Sequence, residues 1–196
     1  MSQEIERKWL LKRLPYEKPI RESSSLQAYL SVDPVVRIRT KFVEDPTEDD
    51  TRATVEPKHY LTIKGDGTIA RTEVELRLTW GQHVDLLSMV PNRLTPIHKY
   101  NRYYSLDGRC DPSTLVDPDE TLRVDVVDEG SINSFIYAEV EFKSIEDAVK
   151  FKFPFDECEP EEVTGSKYWT MAGYWYRTRL HPDEIHIEDT SKRQVY

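Results

Sequence analysis

The chain has 196 residues, of which 38% are hydrophobic and 32% charged, and its formal net charge is −9. A chain of this length can bury one sizeable core, and an acidic field of this strength opposes binding to nucleic acid and to anionic membranes. Any anion that the protein binds must therefore meet a local cluster of basic side chains.

Two further features restrict the class of protein. Cys110 and Cys158 have no CxxC partner, so they indicate neither a disulfide framework nor a zinc site. Charge begins at Glu4, which argues against a signal peptide, and no apolar run approaches the roughly 20 residues that span a membrane. We expect a soluble, cytoplasmic protein without membrane or nucleic-acid partners.

Period-two alternation with many β-branched residues predicts eight β-strands along the chain. They cover residues 3–11, 26–31, 35–43, 59–65, 69–79, 96–106, 121–128 and 136–143. Turn-forming residues at 64–68, 105–109 and 128–131 separate several of them. Strands joined in this hairpin-like way are typical of an antiparallel barrel or sandwich.

Three segments have helical patterns. Residues 79–90 form the first, with Thr79 as the expected N-cap. Residues 144–151 form the second, in which Ser144 precedes an acidic residue at capping-box spacing. The aromatic segment 164–180 is the third.

The remaining segments define the predicted domain organisation. Residues 44–58 are acidic, contain two prolines and have no periodicity, so we expect a long exposed loop. Residues 181–196 have the composition of a polar tail. We therefore predict one domain over residues 1–180, and we expect Gly173 to be a weak point in the third helix.

Alternation gives every predicted strand one apolar and one ionic face. In the first strand, Glu4, Glu6 and Lys8 alternate with Ile5 and Trp9. The ionic faces of the other strands carry Arg37, Arg39, Lys64, Arg71, Glu73, Glu75, Arg77, Arg123, Asp125, Glu139, Glu141 and Lys143. Acids and bases also separate by strand, as in "EIE" and "EVE" against "RIR".

Two interpretations of these ionic faces are open from the pattern. An ordinary sheet exposes one polar face to water, and alternation alone favours this view. A solvated face usually mixes Thr, Ser, Gln and Lys, whereas these faces are almost entirely Glu, Asp, Arg and Lys. If the sheet instead closes into a barrel with helices outside, the charges line its interior. There they must pair with each other, with metals or with a charged ligand.

The order of these motifs resembles the CYTH superfamily, also called triphosphate tunnel metalloenzymes. The first block, "EIERK" at 4–8, matches the ExExK signature of that superfamily. The blocks that follow in order are "QAYLS" (27–31), "VRIR" (36–39), "LTIKG" (61–65), "RTEVEL" (71–76), "IHK" with a nearby Arg (97–102), "VDV" (124–126), "AEVEF" (138–142) and "EVTGSKY" (162–168). "YLS" and "LTIKG" are most similar to the bacterial branch that includes inorganic triphosphatases.

The resemblance implies an α+β fold, mainly antiparallel β, in which a closed eight-stranded barrel encloses a charged tunnel. Carried over by position, the metal ligands are Glu4, Glu6, Asp125, Glu139 and Glu141. The phosphate-binding residues are Lys8, Arg37, Arg39, Lys64, Arg71, Lys99, Arg123 and Lys167. Glu73 and Glu75 match an acidic pair that binds a second metal or orients the bases. Tyr29 matches a tunnel tyrosine, and the implied catalytic residues are Lys8, Tyr29, Arg39 and Lys99.

One motif departs from the superfamily pattern. A Lys-x-Arg motif is common there, whereas this chain has Lys99, Tyr100, Asn101 and Arg102 in succession. Strict alternation points Asn101 into the barrel and Arg102 outward, unless a β-bulge turns Arg102 back towards the phosphates. We predict the bulge and a phosphate contact for Arg102, because Asn101 alone would bind an anion more weakly.

Carboxylate ligands suit hard cations, so the resemblance implies Mg²⁺ or Mn²⁺ rather than Zn²⁺. The expected activity is metal-dependent hydrolysis of inorganic tripolyphosphate or an organic triphosphate. Two alternatives stay open: cyclisation of ATP, as in class IV adenylate cyclases, and non-catalytic binding of nucleotides or polyphosphate. The expected partner is a triphosphate-containing small molecule, and a homodimer is an open option.

Overall fold

The computed structural model describes residues 2–43, 56–65, 67, 70–116, 121–184 and 186, except for the side chains of residues 2, 3 and 43. Most of the predicted loop at 44–58 therefore lies outside the described residues, as does most of the predicted tail at 181–196. The eight predicted strands fall within the described part of the chain, apart from residue 69 at the start of the fifth.

The strands form one antiparallel sheet that closes on itself. They are β1 (Ser2–Leu11), β2 (Arg21–Val32), β3 (Val35–Val43), β4 (Lys58–Lys64), β5 (Ala70–Leu78), β6 (Ile97–Ser105), β7 (Thr121–Val127), β8 (Phe135–Glu141) and β9 (Glu161–Glu162). The order is β5-β4-β3-β2-β6-β7-β8-β1, and β5 also pairs with β1. The predicted closed eight-stranded barrel is confirmed.

Two strands differ from the sequence prediction. β2 begins at Arg21 rather than at residue 26, and its serines at 23–25 pair with both β3 and β6. A run of serines has no apolar alternation, so this half of the strand leaves no pattern in the sequence. The short strand β9 pairs with Trp9 and Leu10 of β1, at the edge that β5 does not reach.

Two of the predicted helices are confirmed together with their caps. Helix α1 spans Trp80–Ser88, and Thr79 and Gln82 cap it with reciprocal side-chain to backbone bonds. Helix α2 spans Ile145–Lys150, and the Ser144 hydroxyl caps it by accepting a hydrogen bond from the backbone N–H of Asp147. Both helices therefore begin where local capping chemistry places them.

The predicted helix over 164–180 is too long. Helix α3 spans only Met171–Trp175 and continues as a π-helical turn over Tyr176–Leu180. Residues 164–170 form turns, because the Thr170 hydroxyl caps α3 by accepting from the Gly173 N–H. A Cβ at Gly173 would lie 2.1 Å from the Lys167 carbonyl oxygen, so close backbone approach, not weakness, explains the glycine.

The helices cover part of the outer face of the barrel. Outward residues of β1, β7 and β8 pack under α2 and residues 151–158 in one apolar cluster. A second cluster attaches α3 to the barrel, with the Trp175 ring 5.7 Å from the ring of Tyr29. Helix α1 packs against one end of the β4 and β5 wall, at His59, whereas the paired Ile63 and Val74 further along that wall are 41% and 44% exposed among the described residues. Within the described residues, no helix has the length and apolarity to cross a membrane.

Candidate functional site

The ionic faces of the strands meet inside the barrel. Lys64 on β4 and Glu4 on β1 form an ion pair of 2.9 Å although β5 lies between their strands. Arg39 on β3 reaches Glu75 on β5 across β4, at 2.7 Å. Such contacts run through the interior, and the side chains of Lys64 and Glu4 are only 11% and 14% exposed. The solvated-face interpretation is therefore wrong.

Glu4, Glu6 and Glu141 form what we call the acidic cluster. Glu6 and Glu141 face each other across β1 and β8, and Glu4 lies two residues further along the same face. Burial raises the pKa of the Glu141 carboxyl; Arg123 opposes this shift, and repulsion from Glu4 and Glu6 adds to it. A divalent cation would remove that repulsion, and carboxylate oxygens are the donors that Mg²⁺ and Mn²⁺ prefer. The donor chemistry of the acidic cluster would therefore suit a hard metal ion.

Basic side chains form ion pairs with two of these carboxylates, those of Glu4 and Glu6. Glu4 lies 2.9 Å from Lys64 and 2.8 Å from Arg71, and Glu6 lies 2.7 Å from Arg71. Burial raises the pKa of Glu6, but Lys8 and Arg71 outweigh it and hold the pKa well below its usual value. Among the described residues, no three acidic, histidine or cysteine side chains stand as a complete metal site. Metal binding would require the carboxylates to turn from these bases to the cation.

Glu139 connects the acidic cluster to the next group of charges. Its carboxylate lies 2.6 Å from Lys8 and also contacts the Arg123 guanidinium. Lys8 in turn lies 3.7 Å from Glu6. Predicted metal ligands and predicted phosphate ligands therefore alternate in one continuous network.

The predicted second acidic pair holds bases in place. Glu75 contacts Arg39, and it accepts a 3.0 Å hydrogen bond from Thr62, whose hydroxyl also accepts from Arg37 at 2.9 Å. Lys64 similarly lies 2.6 Å from Glu73. This geometry matches the option in which the pair orients the bases.

Lys99 is enclosed by polar groups from two other strands. Its Nζ lies 2.5 Å from the Asp125 carboxylate on β7 and donates to the Tyr137 hydroxyl on β8. Burial lowers the pKa of Lys99 to about 7, although Asp125 acts in the opposite direction. The charge of the Lys99 amine near neutral pH therefore depends on the balance between its burial and the Asp125 carboxylate.

The predicted bulge in β6 is wrong. β6 pairs residue by residue with β2 on one side and with β7 on the other. Regular pairing on both edges leaves no extra residue, so Asn101 points inward and donates to Asp125. Arg102 lies on the outer face, 3.0 Å from Glu22. The predicted phosphate contact of Arg102 inside the barrel is therefore excluded.

Two other predicted residues, Tyr29 and Lys167, have different positions relative to the central charges. Tyr29 is buried between the bases and α3, where its hydroxyl accepts from Gln27 at 3.4 Å. Burial raises its pKa, although Arg37 lowers it. Lys167 is exposed on the turn before α3, and no ion pair among the described residues joins it to the barrel. The structure thus brings Tyr29 to the site but leaves Lys167 outside it.

Tyr137 is a site residue that the sequence analysis missed. It is fully buried, and its ring centroid lies 5.4 Å from the Lys8 ammonium and 4.9 Å from that of Lys99. Burial raises its pKa well above the usual value, so the hydroxyl keeps its proton. Tyr137 lies two residues before Glu139 in "FIYAEVE", so the same alternation that points Glu139 inward would have predicted an inward Tyr137.

Two cavities of about 420 and 490 Å³ lie beside the start of β8, away from the predicted metal and phosphate ligands, and the second also reaches the end of β1. Phe135 and Trp169 line both, and Arg177 lines the first. None of the predicted metal or phosphate ligands contributes to either cavity.

Comparisons with known proteins support the architecture. No protein-family model and no curated protein sequence matches the chain. The crystal structure of the inorganic triphosphatase NE1496 is similar over 89% of this chain and 95% of its own, with 21% identity and a TM-score of 0.50. A second structure, of the hypothetical protein NE1496, covers 87% and 96% with 21% identity and a TM-score of 0.49. The chain therefore shares the fold of the inorganic triphosphatase NE1496.

Proposed function

We propose that the protein is a divalent-metal-dependent triphosphatase of the triphosphate tunnel type. One observation carries the proposal: an acidic cluster that fits a hard cation lies inside a closed barrel, beside a continuous set of buried bases. Buried charges on this scale are costly for stability alone. They are explained if a multiply charged anion and a cation replace some of the ion pairs. The fold shared with an inorganic triphosphatase agrees with this chemistry.

The bases would act by exchanging carboxylates for phosphate oxygens. Arg37 and Arg39, held by Thr62 and Glu75, present guanidinium groups that suit bidentate contacts to phosphate. Lys8 lies on the opposite side, against Glu139. A triphosphate between these walls would be neutralised from several directions at once.

Hydrolysis requires charge stabilisation more than covalent chemistry. The acidic cluster with Glu139 would hold Mg²⁺ or Mn²⁺, and such an ion would supply positive charge near the phosphate oxygens and lower the pKa of water bound to it. The buried bases stabilise the negative charge that develops on the leaving phosphates. Because Lys99 has a pKa of about 7, its contribution as a cation declines as the pH rises above neutrality.

One assay tests the proposal. Purified protein is incubated with tripolyphosphate, ATP or thiamine triphosphate in the presence of Mg²⁺ or Mn²⁺, and phosphate and cAMP are measured. Metal-dependent phosphate release from any of the three substrates is the expected result. Release of cAMP from ATP would instead identify a cyclase, and binding without release of either product would identify a binding protein.

A further inference from the structure

We infer that Asp125 is a positioning residue for Lys99 and Arg123 and does not ligate the metal. Five carboxylates were assigned to the metal by position, and Asp125 is the one whose surroundings indicate a different role. It rests on the proposed function in its kinetic part only, because metal binding can be measured without any substrate.

Every described polar contact of Asp125 is made to a donor group. Its carboxylate lies 2.5 Å from the Lys99 amine and 3.3 Å from the Arg123 guanidinium, and it accepts from the Asn101 amide. The residue is 0% exposed. Across the sheet, its neighbours in the register are Asn101 on β6 and Tyr137 on β8. Asp125 is thus the acceptor at the centre of a ring of donors.

Glu4 and Glu6 also contact bases, but the acidic cluster differs from Asp125 because its carboxylates are neighbours of one another. Glu6 faces Glu141 directly in the register, and Glu4 lies nearby on the same strand. Carboxylates placed side by side in this way repel one another, and a cation between them would relieve that repulsion. Asp125 is instead paired with Tyr137, which lies one inward position before Glu139 on β8. A cation is therefore favoured among the three glutamates and not at Asp125.

Moving Asp125 to a metal would also be costly for the chain. Lys99 is buried, and Asp125 is its carboxylate partner among the described residues. Removing one partner from a buried ion pair leaves an uncompensated charge, which costs several kcal/mol. Arg123 contacts both Asp125 and Glu139, so Asp125 is held in place by bases without any metal.

The test compares binding of Mn²⁺ alone to the wild type, Glu141→Gln and Asp125→Asn, measured from the electron paramagnetic resonance signal of free Mn²⁺. Loss of a group that merely orients a metal ligand already costs about 10- to 100-fold in affinity. Glu141→Gln should therefore weaken Mn²⁺ binding at least about tenfold, while Asp125→Asn leaves it unchanged. An equal loss in Asp125→Asn, or no binding by the wild type, would overturn the inference.

A second variant guards against misfolding of Asp125→Asn. The double variant Asp125→Asn with Lys99→Met removes both buried charges, a change that buried ion pairs often tolerate. Its melting temperature verifies the fold, and its Mn²⁺ affinity should equal that of the wild type. A loss of Mn²⁺ affinity in this folded variant would also overturn the inference.

The kinetic part separates positioning from metal binding. With tripolyphosphate, the lower kcat/KM of Asp125→Asn should not recover at high Mn²⁺, whereas Glu141→Gln should recover in part. Recovery of Asp125→Asn by excess Mn²⁺ would count against positioning. If the wild type binds Mn²⁺ but hydrolyses no triphosphate, the proposed function fails, and the Mn²⁺ affinities still decide the role of Asp125.

Discussion

Arg7 and Lys8 are adjacent on β1, equally buried, and point to opposite sides of the barrel wall. Outside, the Arg7 guanidinium donates to Glu162 at 2.8 and 2.6 Å and to two backbone carbonyls, of Ala148 and Phe151, at 2.6 and 2.7 Å. Inside, the ion-pair partners of Lys8 among the described residues are Glu6 and Glu139, which Arg71 and Arg123 also contact. The outer cation is fixed by architecture, whereas the inner one can exchange its partners for a ligand.

The largest expected effect tests this contrast directly. Arg7→Met leaves Glu162 and two carbonyls near α2 without their donor, so the free energy of unfolding should fall by about 3–5 kcal/mol. Lys8→Met should cost less, because Glu139 keeps Arg123 as a partner. Urea denaturation of both variants measures the difference. Equal losses would show that the inner network is as structural as the outer clamp.

The next effect concerns catalysis. If Arg39 contacts a phosphate in the enclosed tunnel, Arg39→Ala should lose about 2–4 kcal/mol of transition-state stabilisation, seen in kcat/KM. Arg102→Ala is the matched control, because Arg102 pairs with Glu22 outside the barrel. An outer ion pair of that kind contributes about 0–1 kcal/mol, and it should leave the kinetics unchanged. A silent Arg39→Ala would remove this residue from the site.

A smaller effect is expected where only the outer architecture changes. In Gly173→Ala, the new Cβ would meet the Lys167 carbonyl at 2.1 Å, which should destabilise the fold by about 1–3 kcal/mol. The control is Gly81→Ala, where an added Cβ meets nothing within 4 Å. Melting temperatures should fall for the first variant only. A fall of similar size at Gly81 would contradict the steric explanation.

The smallest effect lies where α1 docks on the outer wall. The Thr40 hydroxyl lies 3.0 Å from His59 and 3.1 Å from His83, whose rings stack 4.3 Å apart. Burial lowers the pKa of both histidines, and Arg77 lowers that of His59 further. The folded state therefore binds fewer protons than the unfolded state.

The sign of the pH effect follows from these lowered values. The stabilisation is complete above the unfolded pKa of 6.5 and is lost as the pH falls from there towards the folded values. Melting temperatures between pH 7 and pH 5 should fall less steeply in His83→Gln than in the wild type. His98→Gln, away from this pair on β6, should retain the wild-type slope. Parallel slopes in all three proteins would exclude this pair as a source of pH dependence.

Local patterns in the sequence predicted much of the fold and the site. Alternation alone separated Glu4, Glu6 and Lys8 from Ile5 and Trp9, because strand geometry sends successive side chains to opposite faces. The starts of α1 and α2 were equally local, since a capping hydroxyl acts within three residues. Local patterns could not show whether the ionic faces are exposed to water or face each other. That depends on closure of the sheet by the pairing of β5 with β1, which no single strand encodes.

The sequence by itself determined which side chains share a face, which helices have caps, and that several strands carry mainly acids or mainly bases on their ionic face. Only the tertiary structure decided the contacts between distant segments. Pairing of β6 with β2 and β7 kept the strand regular and left Arg102 outside, with Asn101 in its place. Arg7 donates to Glu162, and Lys99 donates to Tyr137, although each pair is far apart in the sequence. The physical reason is that side-chain phase is local, whereas register, closure and ion-pair partners depend on how all eight strands fit around one interior.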